Sequence, residues 1–96
     1  MASRVTVYGQ SKDLNTERIR KNLDELSLSY RFFDIKKQPD VVSRIAAAGE
    51  DTSRFPKVEV ICANRPGAVW VTNPDAETLQ QTLYAEDVLG VTSFWI

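Results

Sequence analysis

The chain has 96 residues, with 12 Lys and Arg, 13 Asp and Glu, one cysteine and no histidine, and its formal net charge is −1. This length predicts a single domain that buries roughly 60–65% of the surface exposed by its unfolded chain. Without histidine, a Ser-His-Asp triad, a Cys-His pair and a histidine-ligated zinc site are excluded. A single cysteine excludes an internal disulfide, a cysteine-based zinc cluster and a CxxC redox pair, so we predict no metal site.

Strand and helix patterns alternate along the first half of the chain. Alternating β-branched and aromatic residues predict a first strand over residues 5–8. Apolar residues at helical spacing between 19 and 26 predict a helix, for which Asp13 or Asn15 supplies the N-cap. A second strand over residues 30–35 follows a short link, so the two strands are expected to form a parallel pair with a right-handed crossover.

The second half of the chain begins with another helix. Pro39 suits its first position, and the helix is expected to end at Gly49. Residues 57–62 and 68–71 are separated by turn residues and predict an antiparallel hairpin. The Asn-Pro-Asp run at residues 73–75 predicts a third helix, with the asparagine as N-cap and the proline at the first helical position.

The element order β-α-β-α-β-β-α predicts an α/β protein with a four-stranded mixed sheet and helices on both faces. This is the three-layer α/β/α arrangement of the thioredoxin-like fold. We assign residues 1–87 to the domain and residues 88–96 to an apolar C-terminal extension of it. A pI near 5.3 disfavours nucleic-acid binding, and no apolar run reaches the roughly 18 residues that cross a membrane. No signal peptide precedes the first strand, so we predict a cytoplasmic protein.

Four segments resemble one protein family in their order and spacing. They are the first strand Val-Thr-Val-Tyr, Leu-Asp-Glu-Leu at residues 23–26 with Tyr30, Arg-Phe-Pro-Lys-Val at residues 54–58, and Thr-Asn-Pro-Asp-Ala-Glu at residues 72–77. Together they resemble glutaredoxins over nearly the whole chain, and the last segment resembles mycoredoxins, the actinobacterial branch that works with mycothiol. The resemblance implies an ancestry in cell redox homeostasis and a cis peptide bond before Pro56.

The sequence departs from this family where the catalytic cysteines belong. Counting from the first strand, the CxxC motif falls on residues 13–16, which read Asp-Leu-Asn-Thr. Thiol–disulfide exchange needs a thiolate that forms a mixed disulfide, so Asp13 and Thr16 cannot perform it and no catalytic residue is intact. Asp13 is interpreted as an N-cap, worth about 1 kcal/mol, or alternatively as an acid that contacts a ligand. Thr16 is predicted to face the core.

The resemblance also implies a site for a low-molecular-weight thiol, glutathione or mycothiol, with no other cofactor. In the family, the backbone before the cis proline pairs with the ligand's cysteine, and the start of the last helix holds its anionic end. The candidate binding residues are Lys12, Asp13, Leu14, Phe55, Pro56, Asn73, Pro74 and Asp75. The alternative interpretations are structural. Pro56 would then form a turn that is inherited from the family and binds no ligand, and Lys12, Lys36 and Lys37 would lie on a solvated surface.

Cys62 is the only thiol of the chain. It shares one strand face with Val58 and Val60, which predicts a buried, inert side chain; the alternative is a reactive or dimer-linking thiol. The apolar tail ends in Phe94, Trp95 and Ile96, which are expected to pack on the sheet or to contact a partner or a second copy.

The leading functional hypothesis is a glutaredoxin-like protein that lacks the redox cysteine pair and acts as a non-catalytic binding or interaction module. Its partner would be an unknown protein or a low-molecular-weight thiol, and the protein itself a monomer or weak homodimer. The alternative is an enzyme, either a thiol–disulfide oxidoreductase or a thiol-ligand-binding enzyme, that uses Cys62 or the Asp13/Thr16 site.

Overall fold

A computed structural model describes residues 4–62 and 67–85 of the protein. The elements in chain order are β1 (Arg4–Gly9), α1 (Leu14–Glu25), β2 (Arg31–Asp34), α2 (Asp40–Ala47), β3 (Lys57–Ile61), β4 (Val69–Thr72) and α3 (Ala76–Ala85). Each strand end lies within one residue of its predicted position. Among these helices, none is both long enough and apolar enough to cross a membrane.

The four strands form one mixed sheet in the order β2-β1-β3-β4. Val7 of β1 lies opposite Phe32 in the parallel pair with β2 and opposite Val58 in the antiparallel pair with β3. Val58 in turn lies opposite Val71 of β4, which completes the hairpin. The predicted α/β class and four-stranded mixed sheet are therefore confirmed.

The main core lies between one face of the sheet and helices α1 and α3. Its buried members are Val5, Val7, Val58 and Val60 from the strands, Ile19 and Leu23 from α1, and Leu79 and Leu83 from α3. The alternation of apolar residues along β1 and β3 places these valines on the same side. Each fully buried side chain of this size stabilises the fold by about 1.5–3 kcal/mol.

Helix α2 lies over the opposite face of the sheet, so the described helices occupy both faces as predicted. Val41 and Ile45, one turn apart, are its buried residues. The helix begins immediately after Pro39 and ends before Gly49, whose φ of 86° lies in the left-handed region that favours glycine at a helix end. The predicted start therefore lies one residue, and the predicted end two residues, from the observed bounds of this helix.

The predicted start of the third helix is wrong. Asp75, not Asn73, caps α3, because its Oδ1 accepts a hydrogen bond of 2.7 Å from the Thr78 amide. Asn73 has a φ of 43°, whereas an N-cap residue normally has extended backbone. Pro74 consequently precedes the helix instead of opening it. The predictions for the tail at residues 88–96, with Phe94, Trp95 and Ile96, lie outside the described residues.

Candidate ligand-binding site

The candidate site lies where the carboxyl end of β1 meets the loop before β3. The peptide bond between Phe55 and Pro56 is cis, as the resemblance to glutaredoxins implied. The Pro56 carbonyl accepts a hydrogen bond of 2.8 Å from the amide of Asn73. Because Asn73 directly follows β4, this bond brings three predicted site residues to one corner of the sheet.

Asp13 caps helix α1 at this corner. Its backbone is extended, and its Oδ2 accepts hydrogen bonds from the Thr16 amide at 3.0 Å and from the Thr16 hydroxyl at 2.9 Å. These bonds satisfy a backbone donor that a helix leaves unpaired at its start. The capping interpretation of Asp13 is confirmed, and Asn15 is not the N-cap.

Thr16 joins α1 to the proline corner. It is fully buried, on the same helix face as Ile19 and Leu23, as the sequence predicted. A methyl group added at Gly9 would overlap the Thr16 hydroxyl, come within 2.8 Å of its Cγ2 and lie 3.2 Å from Cβ of Pro56. Gly9 therefore packs closely between Thr16 and Pro56, which places Thr16 near the cis proline.

Arg18 connects the first helix with the start of the third, a role that the sequence analysis missed. Its Nη2 donates to Asn73 Oδ1 at 2.9 Å and to the Pro74 carbonyl at 3.0 Å. Its Nη1 donates to Asn15 Oδ1 at 3.0 Å, across one helical turn. That i, i+3 pair is the only local signal for Arg18, since its other partners lie more than fifty residues away in sequence.

An open cavity of about 490 Å³ lies beside the cis proline. Its described lining residues are Ser53, Arg54, Phe55, Thr72 and Asn73. This Pro56 cleft, as we call it, contains the predicted residues Phe55 and Asn73 and adds three that the sequence analysis did not single out. Arg54 gives it a positive charge at its rim, and hydroxyl and amide groups supply hydrogen-bonding atoms.

A buried lysine supports the wall of the Pro56 cleft. Lys57 is only 2% exposed, and its Nζ donates to the Thr72 hydroxyl at 2.8 Å. Hydrogen bonds from Ser53 lower the pKa of Asp51, and the positive charges of Lys57 and Arg54 lower it further. The cleft thus has one cation in its lining, Arg54, and Lys57 and the hydrogen-bonded Asp51 lie close behind the lining residues.

Asp75 occupies the start of the last helix. Hydrogen bonds from Thr78, and to a smaller extent the charge of Arg18, hold the pKa of Asp75 below its usual range. In the glutaredoxins that the sequence resembles, the start of the last helix holds the anionic end of the ligand. Here both helix starts at the site, those of α1 and α3, already bind a carboxylate of the chain itself.

Two predicted site residues lie at the outer edge of the site. Lys12 is exposed and has a φ of 71°, and Leu14 is 85% exposed at the first position of α1. Pro74 is buried, whereas Asn73 is exposed. Lys36 and Lys37, which follow β2, are exposed. The structure therefore assembles the site from the proline corner and both helix starts, with Lys12 and Leu14 at its margin.

Cys62 does not belong to this site. It is 7% exposed, which confirms the predicted burial, and it follows the end of β3 opposite to Pro56. Six residues of extended chain separate it from Pro56, a distance of about 20 Å. Within the two described stretches, no cluster of three or more metal-binding side chains occurs.

Burial of Cys62 predicts slow alkylation of the native protein. We expect iodoacetamide to label it at least about 100-fold more slowly in buffer than in urea, because reagent access requires local opening of the fold. Mass spectrometry of the alkylated chain over time measures both rates. A Cys62→Ala variant with Ser43→Cys on the exposed surface of α2 is the control and should label rapidly. Equal native and denatured rates for Cys62 would contradict its burial.

Comparison of the sequence with protein-family models and with curated proteins finds no match. The relationship to glutaredoxins therefore stays a prediction that rests on the four sequence segments.

Proposed function

We propose that the protein is a glutaredoxin-like, thioredoxin-fold protein that has lost thiol–disulfide exchange and acts as a non-catalytic binding module. The strand order β2-β1-β3-β4 and the cis bond before Pro56 support the fold assignment. The observation that carries the loss of chemistry is at the start of α1. There the Thr16 hydroxyl donates to the Asp13 carboxylate at 2.9 Å, and Thr16 packs against Gly9 next to Pro56. Asp13 and Thr16 are the two positions at which the resemblance implies sulfur atoms.

The ligand class that fits the Pro56 cleft best is a low-molecular-weight thiol, either the anionic peptide glutathione or the uncharged conjugate mycothiol. Arg54 can pair with a carboxylate of glutathione, and the backbone beside Phe55 can pair with an amide group of either ligand. Asp13 and Asp75 oppose binding, since each already occupies the amide of a helix start. We therefore place the dissociation constant near the millimolar range, about 4 kcal/mol of binding free energy.

Titration of the folded protein with reduced glutathione and with mycothiol tests this function. We expect saturable backbone amide shifts in an NMR titration that cluster at Ser53, Phe55 and Asn73. Arg54→Gln should weaken glutathione binding about tenfold because it removes the charge at the rim of the cleft. Lys21→Gln removes an exposed charge in the middle of α1 and should leave the affinity unchanged.

The outcome decides whether the cleft binds thiols. The absence of saturable shifts with either compound up to about 10 mM would contradict the proposal. Equal weakening by Arg54→Gln and Lys21→Gln would also contradict it, since that result indicates a general charge effect.

The enzymatic alternative has less support. Cys62 is buried and lies at the far end of β3, and neither Asp13 nor Thr16 can form a mixed disulfide. Turnover of a mixed disulfide by the purified protein, abolished by Cys62→Ala, would favour the alternative over the binding module.

A further inference from the structure

A second cavity, of about 280 Å³, lies between helix α2 and the sheet. Helix α2 is too small to cover this face of the sheet. Four strands at a spacing of about 4.8 Å make the face wider than one helix, and the eight residues of α2 extend only about 12 Å. Among the described helices, α2 alone contributes residues to this cavity. Its described lining shares no residue with the Pro56 cleft, so the two cavities are separate.

Three aromatic rings form one wall of this cavity, which we call the α2 cavity. The ring of Tyr8 stacks against Phe33 of β2 with centroids 5.6 Å apart and planes inclined by 16°. On its other side it stacks against Trp70 of β4, also at 5.6 Å, with planes inclined by 25°. All three residues are partly exposed, so this wall offers apolar surface to a planar ring.

The charged groups of the α2 cavity are mainly positive. Arg4, Arg31 and Arg44 come from β1, β2 and α2, respectively, and all three are exposed. Glu59 is the single acid among the described lining residues, which leaves a net charge of +2 (3 − 1). The only ion pair in the described part of the chain joins Arg20 to Glu17, so it involves none of the three arginines.

Glu59 is engaged by a neighbouring phenol. The Tyr8 hydroxyl donates to Glu59 Oε1 at 3.0 Å. Burial, reinforced by this carboxylate, raises the pKa of Tyr8 to about 12, while Arg44 and Arg31 act in the opposite direction. The phenol therefore stays protonated at neutral pH and keeps Glu59 bound. The guanidinium of Arg44 lies 5.7 Å from the Phe33 ring, which places a positive charge beside the aromatic wall.

We propose that the α2 cavity binds a small organic dianion with one planar ring, of the aryl monophosphate class. Arginine pairs with phosphate through two parallel hydrogen bonds, and an excess of two positive charges matches a doubly charged group. The aromatic wall covers the ring of the ligand. A volume of about 280 Å³ is near the lower limit for small-molecule sites, which suits one ring and one phosphate. This site is independent of the function proposed for the Pro56 cleft.

Phenyl phosphate is the probe that tests this site, with inorganic phosphate and phenol as its separated parts. In an NMR titration of the full chain, we expect saturable shifts at Thr6, Tyr8 and Trp70. We expect phenyl phosphate to bind at least about tenfold more tightly than either part, because charge and ring act together. Shifts confined to Ser53, Phe55 and Asn73 would belong to the Pro56 cleft and would overturn the proposal for the α2 cavity.

Substitutions of exposed arginines test the charge requirement without disturbing the core. Arg31→Gln and Arg44→Gln should each weaken phenyl phosphate binding about tenfold, with circular dichroism confirming the native fold. Lys21→Gln is the matched control on the opposite face and should bind as the natural sequence does. Unchanged affinity in both arginine variants would overturn the proposal, as would inorganic phosphate or phenol binding as tightly as phenyl phosphate.

Discussion

The paired substitutions Asp13→Cys and Thr16→Cys are expected to give the protein a thiol–disulfide exchange activity that carboxylate and hydroxyl groups cannot supply. The side-chain oxygens of Asp13 and Thr16 are 2.9 Å apart, so sulfur atoms placed there would be close enough to react with each other. The amide of the helix start, which Asp13 now binds, would stabilise a thiolate instead.

Two measurements follow from this expectation. The thiol introduced by Asp13→Cys should titrate below the usual value of about 8.5, as ultraviolet absorbance of the thiolate would show. With reduced glutathione in excess as the reductant, the double variant should also turn over a mixed disulfide of glutathione and release glutathione disulfide, where the natural sequence gives no turnover above background.

A matched control tests whether the activity depends on where the two cysteines lie or only on their presence. Lys21→Cys with Asp24→Cys has the same spacing, but both residues are exposed in the middle and last turns of α1, away from its amino end. This pair should show an ordinary thiol pKa and no turnover. If the double variant at positions 13 and 16 folds but behaves like this control, the glutaredoxin interpretation of the α1 start is wrong.

Gly9→Ala is expected to lower the free energy of unfolding by about 3 kcal/mol, a large part of the stability of a small domain. The added methyl group would overlap the Thr16 hydroxyl and lie 2.8 Å from Thr16 Cγ2. Gly9 is itself buried in the sheet, so neither the strand nor the helix can move away without disrupting the core. Urea unfolding followed by circular dichroism measures the loss.

A double-mutant cycle attributes this loss to the contact. Thr16→Ala removes both overlapping atoms and leaves only Cβ of Pro56, 3.2 Å from the new methyl group. Gly9→Ala should therefore cost at least about 1.5 kcal/mol less in a Thr16→Ala background than in the natural sequence. Gly49→Ala is the control for backbone strain, because Gly49 has a φ of 86° and no atom within 4 Å of the added Cβ. An additive cycle would contradict the close contact between Gly9 and Thr16.

The strands and the first helix cap could be predicted because their signals are local. Alternating β-branched residues place the strand ends to within one residue, and Asp13 caps α1 through a partner only three residues away. The cap of the last helix was mispredicted because residues 73–75 contain two capping residues, Asn73 and Asp75, separated only by Pro74. The side chain of Asn73 instead accepts a hydrogen bond from Arg18, 55 residues earlier, and no local pattern reveals this contact.

The sequence by itself determined the α/β class, the mixed sheet, the burial of Thr16 and Cys62 and the absence of sulfur at positions 13 and 16. These properties depend on residue identity and on periodicity over a few neighbours. Only the tertiary structure decided which side chains meet. The α2 cavity takes residues from four strands and one helix, and the Pro56 cleft joins the loop before β3 to the end of β4. Both depend on strand register and on the limited length of α2, because a cavity is the space that packed elements leave between them.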